Sequence, residues 1–236
     1  MAEKETPRSN YNPELNKMLV QILDRDGNKD NIERAFHLIM ADADPDTKSS
    51  YTGFTILKDV IHLHDLDLVK KFVIEAKCSI NVLDSNNRKP IDYAIEFLCH
   101  DIVEWFLNNG IDVNEIVSGS HSQKCKRLHV LADRTFRSKV DERNAITIAK
   151  LLIAKGANVL EMNENRENPV ELAKLRNPYG DFTKFMKEEK HKIGDILHSK
   201  ANETILELVE ENKELKKRCQ IWNLNLKKDS KKWRKK

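Results

Sequence analysis

Several acidic residues near the start of the chain stand at spacings that raise the question of metal binding. The segment from Asp24 to Asp30 has oxygen-bearing side chains at alternate positions, as the first half of an EF-hand calcium loop does. The other positions do not fit, because Lys29 replaces the turn glycine and Ala35 replaces the bidentate glutamate. The segment is therefore predicted to be a polar turn between two helices, with Asp30 capping the second helix.

Histidine and cysteine pairs do not indicate a zinc site. His62 and His64 are two residues apart, so they point to different faces of a helix. Cys125 and His129 are four residues apart and could share a helical face, but no second pair accompanies them. We expect no bound metal and no cofactor.

Nucleophilic catalysis finds little support. Cys99 and His100 are adjacent and diverge around a helix, and Asp65 and Asp67 belong to a predicted turn. The sequence contains no GxSxG, P-loop, GxGxxG or HExxH motif. An enzyme would have to depend on the Cys125–His129 pair alone, so the chain is predicted not to be an enzyme.

The composition favours an elongated helical protein. Of 236 residues, 33% are charged and 39% are hydrophobic, which suits a fold with much surface for its volume. The content of 7 glycines and 6 prolines favours helices over glycine-rich β structure. The polar start, the lack of a long apolar run and the scattered thiols predict a reducing, cytoplasmic compartment; the cysteines are Cys78, Cys99, Cys125 and Cys219.

The strongest pattern is an internal repeat of two short amphipathic segments followed by an extended stretch. Asn81 and Asn114 occupy the same place in two copies that lie 33 residues apart. The first segments begin at Thr55-Ile56-Leu57, Pro90-Ile91, Leu128-His129 and Pro169-Val170, and two of the copies close with Gly110-Ile111-Asp112-Val113-Asn114 and Gly156-Ala157-Asn158-Val159.

These fragments resemble the ankyrin repeat, whose motif contains Thr-Pro-Leu-His, a second helix and a Gly-Ala-Asp-Val-Asn finger. The resemblance covers about residues 12–187, or four to five units. It implies an all-α solenoid of helix-turn-helix units with finger loops, whose concave face and fingers bind another protein. The expected function is therefore a non-catalytic protein–protein interaction scaffold.

Local chemistry agrees with the repeat. Thr55 and Asn168 suit the residue that caps a helix start, and Glu171 completes a capping box with Asn168. Gly110 and Gly156 suit the left-handed residue that ends the second helix of a unit. Because one unit cannot bury its own apolar stripe, neighbouring units must stack.

The third copy, at 115–160, carries an insertion. Asn114 and its equivalent Leu160 are 46 residues apart, against 33 for the preceding copy. About four extra residues fall in the finger near Gly119–Ser122, and about nine fall between the helices, in Asp133–Arg143. The enlarged finger is either a contact device or a tolerated surface insertion.

The resemblance also indicates which residues would meet a partner. Trp105 lies on a second helix, where packing between repeats is favoured over partner contact. The predicted contact residues on the concave side and finger tips are Asp84, Asn86, Arg88, Glu115, His121 and Lys124.

The segment 188–236 differs in texture from the array. Residues 201–229 contain no Gly or Pro and are predicted to form one long helix. Asn212 falls at a heptad a position, where it can favour a parallel two-stranded coiled coil. The predicted coiled-coil core is Ile205, Leu208, Asn212, Leu215, Cys219, Trp222 and Leu226. The helix would either form a homodimer through 201–229 or pack on the last repeat as a cap.

The two termini are predicted to differ in order and charge. Residues 1–11 are expected to be disordered. Seven of the ten residues 227–236 are Lys or Arg, so this tail could contact membrane lipid or nucleic acid, act as an import or secretion signal, or remain solvated. The degenerate repeats resemble ankyrin proteins of intracellular bacteria and their viruses or hosts. That resemblance implies delivery as an effector into host cytosol or nucleus. The alternative function is therefore a dimeric adaptor or secreted effector whose C-terminal helix self-associates and whose basic tail contacts membrane or nucleic acid.

Overall fold

The computed structural model describes residues 11–25, 27–118 and 124–233, with side chains as far as residue 217. The chain divides into two units, Met1–Lys187 and Glu188–Lys236, which we treat separately. Of the residues 1–11 that are predicted to be disordered, 1–10 lie outside the described residues, as do Asp26 and residues 119–123 of the enlarged finger.

The first unit is built from successive helix pairs, and the predicted helical fold class is confirmed. A two-stranded antiparallel hairpin, β1 (Val117–Ser118) and β2 (Lys124–Cys125), interrupts them. The helices are α1 (Pro13–Leu23) and α2 (Lys29–Met40), α3 (Ile56–His62) and α4 (Leu66–Ile74), α5 (Pro90–Glu96) and α6 (His100–Asn108), α7 (Arg127–Ala132) and α8 (Lys139–Ala154), and α9 (Pro169–Arg176) with the start of α10 (Asp181–Trp233).

The pairs stack in two rows. The first helices pack in the order α3, α5, α7 and α9, and the second helices pack in the order α4, α6 and α8. Phe72, Phe106, Ile148 and Leu152 are fully buried on second helices. Each pair thus covers the apolar face of its neighbour, which is how a solenoid of short units becomes stable.

Helix starts follow the predicted cap chemistry in part. Asn168 Oδ1 accepts a hydrogen bond from Glu171 N at 3.0 Å, and Asn168 N donates to Glu171 Oε2 at 3.2 Å, so the predicted capping box is confirmed. Thr55 is at the N-cap of α3 but its hydroxyl makes no cap bond; its backbone pairs with Lys48 instead.

The cap predicted for α2 was wrong by two residues. Asn28, not Asp30, accepts from the backbone, with Asn31 N donating to Asn28 Oδ1 at 2.9 Å. The helix already begins at Lys29, which places Asp30 in the first turn, where its charge suits the positive helix end.

The ends of the second helices agree with the sequence prediction. Gly110 and Gly156 follow α6 and α8 with φ angles of 91° and 100°. This left-handed region is open to glycine without the clash that a Cβ brings.

The insertion between α7 and α8 was predicted as a connection over Asp133–Arg143, but only 133–138 is a loop. Ser138 Oγ accepts from Asp141 N at 3.1 Å and so starts α8 at Lys139. The remaining inserted residues lengthen α8 to 16 residues. A serine cap followed by acidic residues in the first turn makes this extension favourable.

The start of α10 closes the first unit. Phe182, Thr183 and Met186 are buried, and Thr183 Oγ1 donates to Ala173 O at 2.8 Å. Phe182 N donates to Glu142 Oε1 at 2.9 Å, which ties this turn to α8.

The second unit is helical. The predicted helix over 201–229 lies within α10, and every residue of 201–217 is exposed. None of the described helices is both long and apolar enough to cross a membrane.

Candidate binding surface

The finger turns are fixed by a recurring polar residue. Asp84 N donates to Arg88 O at 3.0 Å, and Asn163 N donates to Glu167 O at 3.0 Å, so the two fingers close in the same way. Asp84 Oδ1 also accepts from Arg88 N at 2.9 Å, as Asn163 Oδ1 does from Glu167 N at 2.9 Å. In both fingers a residue with positive φ, Asn87 or its equivalent Arg166, completes the turn.

Asp84 is therefore a structural residue of its finger. Its side chain is buried, and besides the turn it accepts a hydrogen bond from the Tyr93 hydroxyl. A carboxylate satisfied within the chain has little left to offer a partner. Asp84 is therefore not available to a partner, whereas Asn86 is exposed at the tip of the same finger.

Arg88 is half-buried along α5. Its guanidinium lies 4.2 Å from the centre of the Tyr93 ring and forms an ion pair with Glu96. Burial alone would lower the pKa of Arg88, but the Glu96 carboxylate raises this pKa above its ordinary value. The guanidinium presents a fixed cation, backed by an aromatic ring, beside the finger.

A charge network joins one finger to the next. Lys89 Nζ lies 2.7 Å from Glu115 Oε1, and one repeat later Lys126 Nζ lies 2.7 Å from Glu161 Oε1. Because the same pair recurs one unit apart, it is a device that stacks fingers. Glu115 also accepts from Arg127 Nη2 at 3.0 Å.

The charge of Glu115 is thereby stabilised. Partial burial would raise its pKa, but hydrogen bonds from Lys89 and Arg127 lower the pKa below its ordinary value. The structure brings the predicted contact residue Glu115 into a network within the chain, with part of its side chain still exposed.

The enlarged finger forms the hairpin of β1 and β2. Lys124 is exposed, and its backbone N donates to Glu164 Oε2 at 2.9 Å, which links this hairpin to the following finger. His121, another predicted contact residue, lies outside the described residues.

An apolar side chain occupies the same position in three successive fingers. Leu83 and Met162 directly precede the turn residues Asp84 and Asn163, and Ile116 directly precedes β1. Leu83 is 43% exposed, Ile116 65% and Met162 56%. We call these three residues the finger ridge. The ridge was not predicted, although its three residues share an offset of two from Asn81, Asn114 and Leu160 in the sequence.

The loop 133–138 forms one wall of a cavity of about 530 Å³ beside the end of α5. Both signs of charge line this cavity, including Glu96, Asp141, Arg134 and Arg137. The Arg134 Nε atom is buried without an acceptor, and burial lowers the pKa of this guanidinium. The mixed charges do not favour one class of ligand.

The buried thiols are poor nucleophiles. Cys99 Sγ lies 3.1 Å from His64 Nδ1, a pair that the sequence spacing did not indicate. Burial raises the pKa of both Cys99 and Cys125 to about 12, so neither is a thiolate near neutral pH. Cys125 belongs to β2 rather than to a helix, so it shares no helical face with His129. In the described part of the chain, no group of three His, Cys, Asp or Glu is placed to hold a metal ion.

His129 has a structural role. Its Nδ1 accepts from Lys126 N at 3.3 Å, and its Nε2 lies 2.8 Å from Glu161 O. The imidazole thus links the start of α7 to the next finger.

Comparison with known protein families gives a match for part of the chain. Residues 23–116 match the model described as ankyrin repeats, in three copies. No curated protein matches the chain.

Proposed function

Because residues 23–116 match ankyrin repeats, we propose that the chain binds another protein through its finger ridge and the charged groups beside it, and that it catalyses no reaction. Ankyrin repeats are in general protein–protein interaction modules, and the family is typically non-catalytic. The high pKa of the Cys99 and Cys125 thiols is consistent with that proposal.

The observation that carries the proposal is the recurrence of the ridge. Equivalent positions of stacked repeats fall in a row, so Leu83, Ile116 and Met162 are expected to form a line of exposed apolar groups. A row of exposed apolar side chains rimmed by polar ones is typical of a protein-binding surface.

Charged residues flank this row and would give it selectivity. Asn86 and Lys124 are predicted contact residues of these fingers whose side chains are exposed, whereas Arg88 and Glu115 are half-buried. Lys124 is the more accessible cation, because Arg88 is half-buried and paired with Glu96, so Lys124 would favour an acidic side chain in a largely apolar partner segment.

Affinity capture with a matched control tests this function. We expect a triple variant, Leu83→Ser, Ile116→Ser and Met162→Ser, to capture at most about 10% of the amount of each specific partner protein that the parent captures. Each substitution should remove roughly 1 kcal/mol of binding free energy. The control replaces exposed apolar residues outside the fingers, Ile74→Ser, Val140→Ser and Leu175→Ser.

Each variant replaces three exposed apolar residues with serine, so a loss of nonspecific hydrophobic binding would affect both equally. Proteins that the parent and the control capture equally, and that the ridge variant fails to capture, support the proposal. Equal capture by all three chains would refute it.

A further inference from the structure

An apolar stripe runs along the exposed part of α10. Ile205, Leu208 and Leu215 each expose more than half of their surface. Together with Asn212 they recur at alternating spacings of three and four residues, so they lie on one side of the helix. Exposing such a stripe to water is unfavourable, so a partner that covers it would stabilise the helix.

The charged residues of the same helix fall into two groups. With Ile205 at heptad position a, the pairs Lys213–Glu210 and Lys217–Glu214 occupy b, c and f, away from the stripe. Their Nζ–Oε2 distances are 3.1 and 3.3 Å, so these charges are paired within the helix.

Two charges that border the stripe are left over. Glu211 at g and Lys216 at e take part in none of the ion pairs of the described residues, although both lie in the fully described part of α10. They are five residues apart, which is the spacing at which g of one helix meets e of another in a parallel coiled coil.

We propose that the occupant of this stripe is a second copy of the chain, in a parallel, in-register, two-stranded coiled coil. Ile205, Leu208 and Leu215 then pack against the same residues of the other copy. Asn212 meets its counterpart, which fixes the register at some cost in stability. Glu211 of each helix pairs with Lys216 of the other.

The proposal goes beyond partner binding by the fingers, because it concerns the second unit alone. The pattern continues in the sequence through Cys219, Trp222 and Leu226, whose side chains lie outside the described residues. Leu206 is exposed at b and stays outside the seam, which makes it the natural control position.

Sedimentation equilibrium of the full chain tests association. We expect a mass that rises with concentration toward twice the 27.4 kDa of one chain. Leu208→Glu with Leu215→Glu should hold the mass at that of one chain at every concentration, because it buries charge in the seam. Leu206→Glu introduces the same side chain on the same helix and should leave dimerisation within about threefold of the parent.

Charge exchange tests orientation and register. Glu211→Lys alone should weaken the dimer about tenfold, since it opposes two lysines in each of two symmetric contacts. Adding Lys216→Glu restores opposite charges and should recover the parent affinity. Far-ultraviolet circular dichroism would confirm that each variant keeps its folded array.

Three results would overturn the proposal. The first is a parent mass of one chain at all concentrations, which would mean that no second copy covers the stripe. The second is equal dissociation by Leu206→Glu, which would misplace the seam. The third is a charge-exchanged variant as weak as Glu211→Lys, which would exclude the parallel register. None of these results depends on capture by the fingers.

Discussion

Arg127 shows how much of the array depends on single buried residues. Only 1% of it is exposed, and its guanidinium donates to Asp92 Oδ1 at 2.8 Å, to Glu115 and to the carbonyl of Asp112. Three acceptors, from α5 and from the finger after α6, thus converge on one side chain. The burial of Arg127 could not be predicted from the sequence, because a charged residue at a helix start is ordinarily solvated.

Removing Arg127 should destabilise the first unit severely. Arg127→Met leaves the buried Asp92 carboxylate unpaired, and we expect a loss of about 3–5 kcal/mol in the free energy of unfolding. Urea denaturation measures it. Lys124→Met, which removes an exposed cation 3.9 Å from Glu164, should cost about 0–1 kcal/mol.

A second variant identifies the cause. Arg127→Met combined with Asp92→Asn removes the orphaned charge and keeps an acceptor for Lys89 N, so it should recover part of the loss. If the double variant were as unstable as the single one, the ionic explanation would be incorrect.

His129 should make the stability of the array depend on pH. Burial lowers the pKa of its imidazole below the ordinary 6.5, so the folded state binds its proton less readily than the unfolded state. Stability from this group is therefore complete above about pH 6.5 and declines as pH falls toward the lowered pKa. Protonation of Nδ1 would remove the acceptor for Lys126 N.

Denaturation across this pH range measures the effect. His129→Gln should be less stable near neutral pH, and its stability should fall less between pH 7 and pH 5 than that of the parent. An identical pH slope in both proteins would show that other groups control the dependence.

At the scale of elements, the ends of helices were more predictable than their lengths. Gly110, Gly156 and the Asn168–Glu171 box follow from residue chemistry alone and are confirmed. The extension of α8 was missed because its first turns are polar and expose Val140, so apolar periodicity starts only near Ala145. A helix whose first turns face water carries a weak sequence signal.

Gly110 offers a clean measure of backbone strain. An added Cβ would meet nothing within 4 Å, yet φ is 91°, so Gly110→Ala should destabilise the array by about 1–2 kcal/mol through conformation alone. Gly194→Ala is the matched control, since Gly194 lies inside α10 with equally free space. It should raise helix stability by about 0.5–1 kcal/mol. Thermal unfolding followed by circular dichroism gives both signs, and a stabilising Gly110→Ala would contradict the argument.

At the scale of the whole molecule, the repeat predicted that units stack, and the packing of first on first and second on second helices bears this out. The family match ends at residue 116, but the same stacking continues through α7, α8 and α9. The links between fingers, such as Lys126 with Glu161, could not be predicted because they join residues of different copies whose distance depends on the stacking itself. Periodicity identifies equivalent positions, whereas it does not say which charged ones meet.

Because the repeats stack, the helices that a core substitution destabilises should depend on where in the array the substitution lies. Leu19 in α1 and Phe106 in α6 are both fully buried, and truncation of either to Ala should cost about 2–5 kcal/mol locally. Because each pair contacts only its neighbours, Leu19→Ala should speed hydrogen exchange in α1 and α2 while α5 to α9 keep their protection. Phe106 lies in the middle of the array, where α6 packs against both α4 and α8. Phe106→Ala should therefore speed hydrogen exchange from α3 through α8 together. Uniform loss of protection in both variants would instead indicate a single cooperative globule, in which the position of a cavity does not matter.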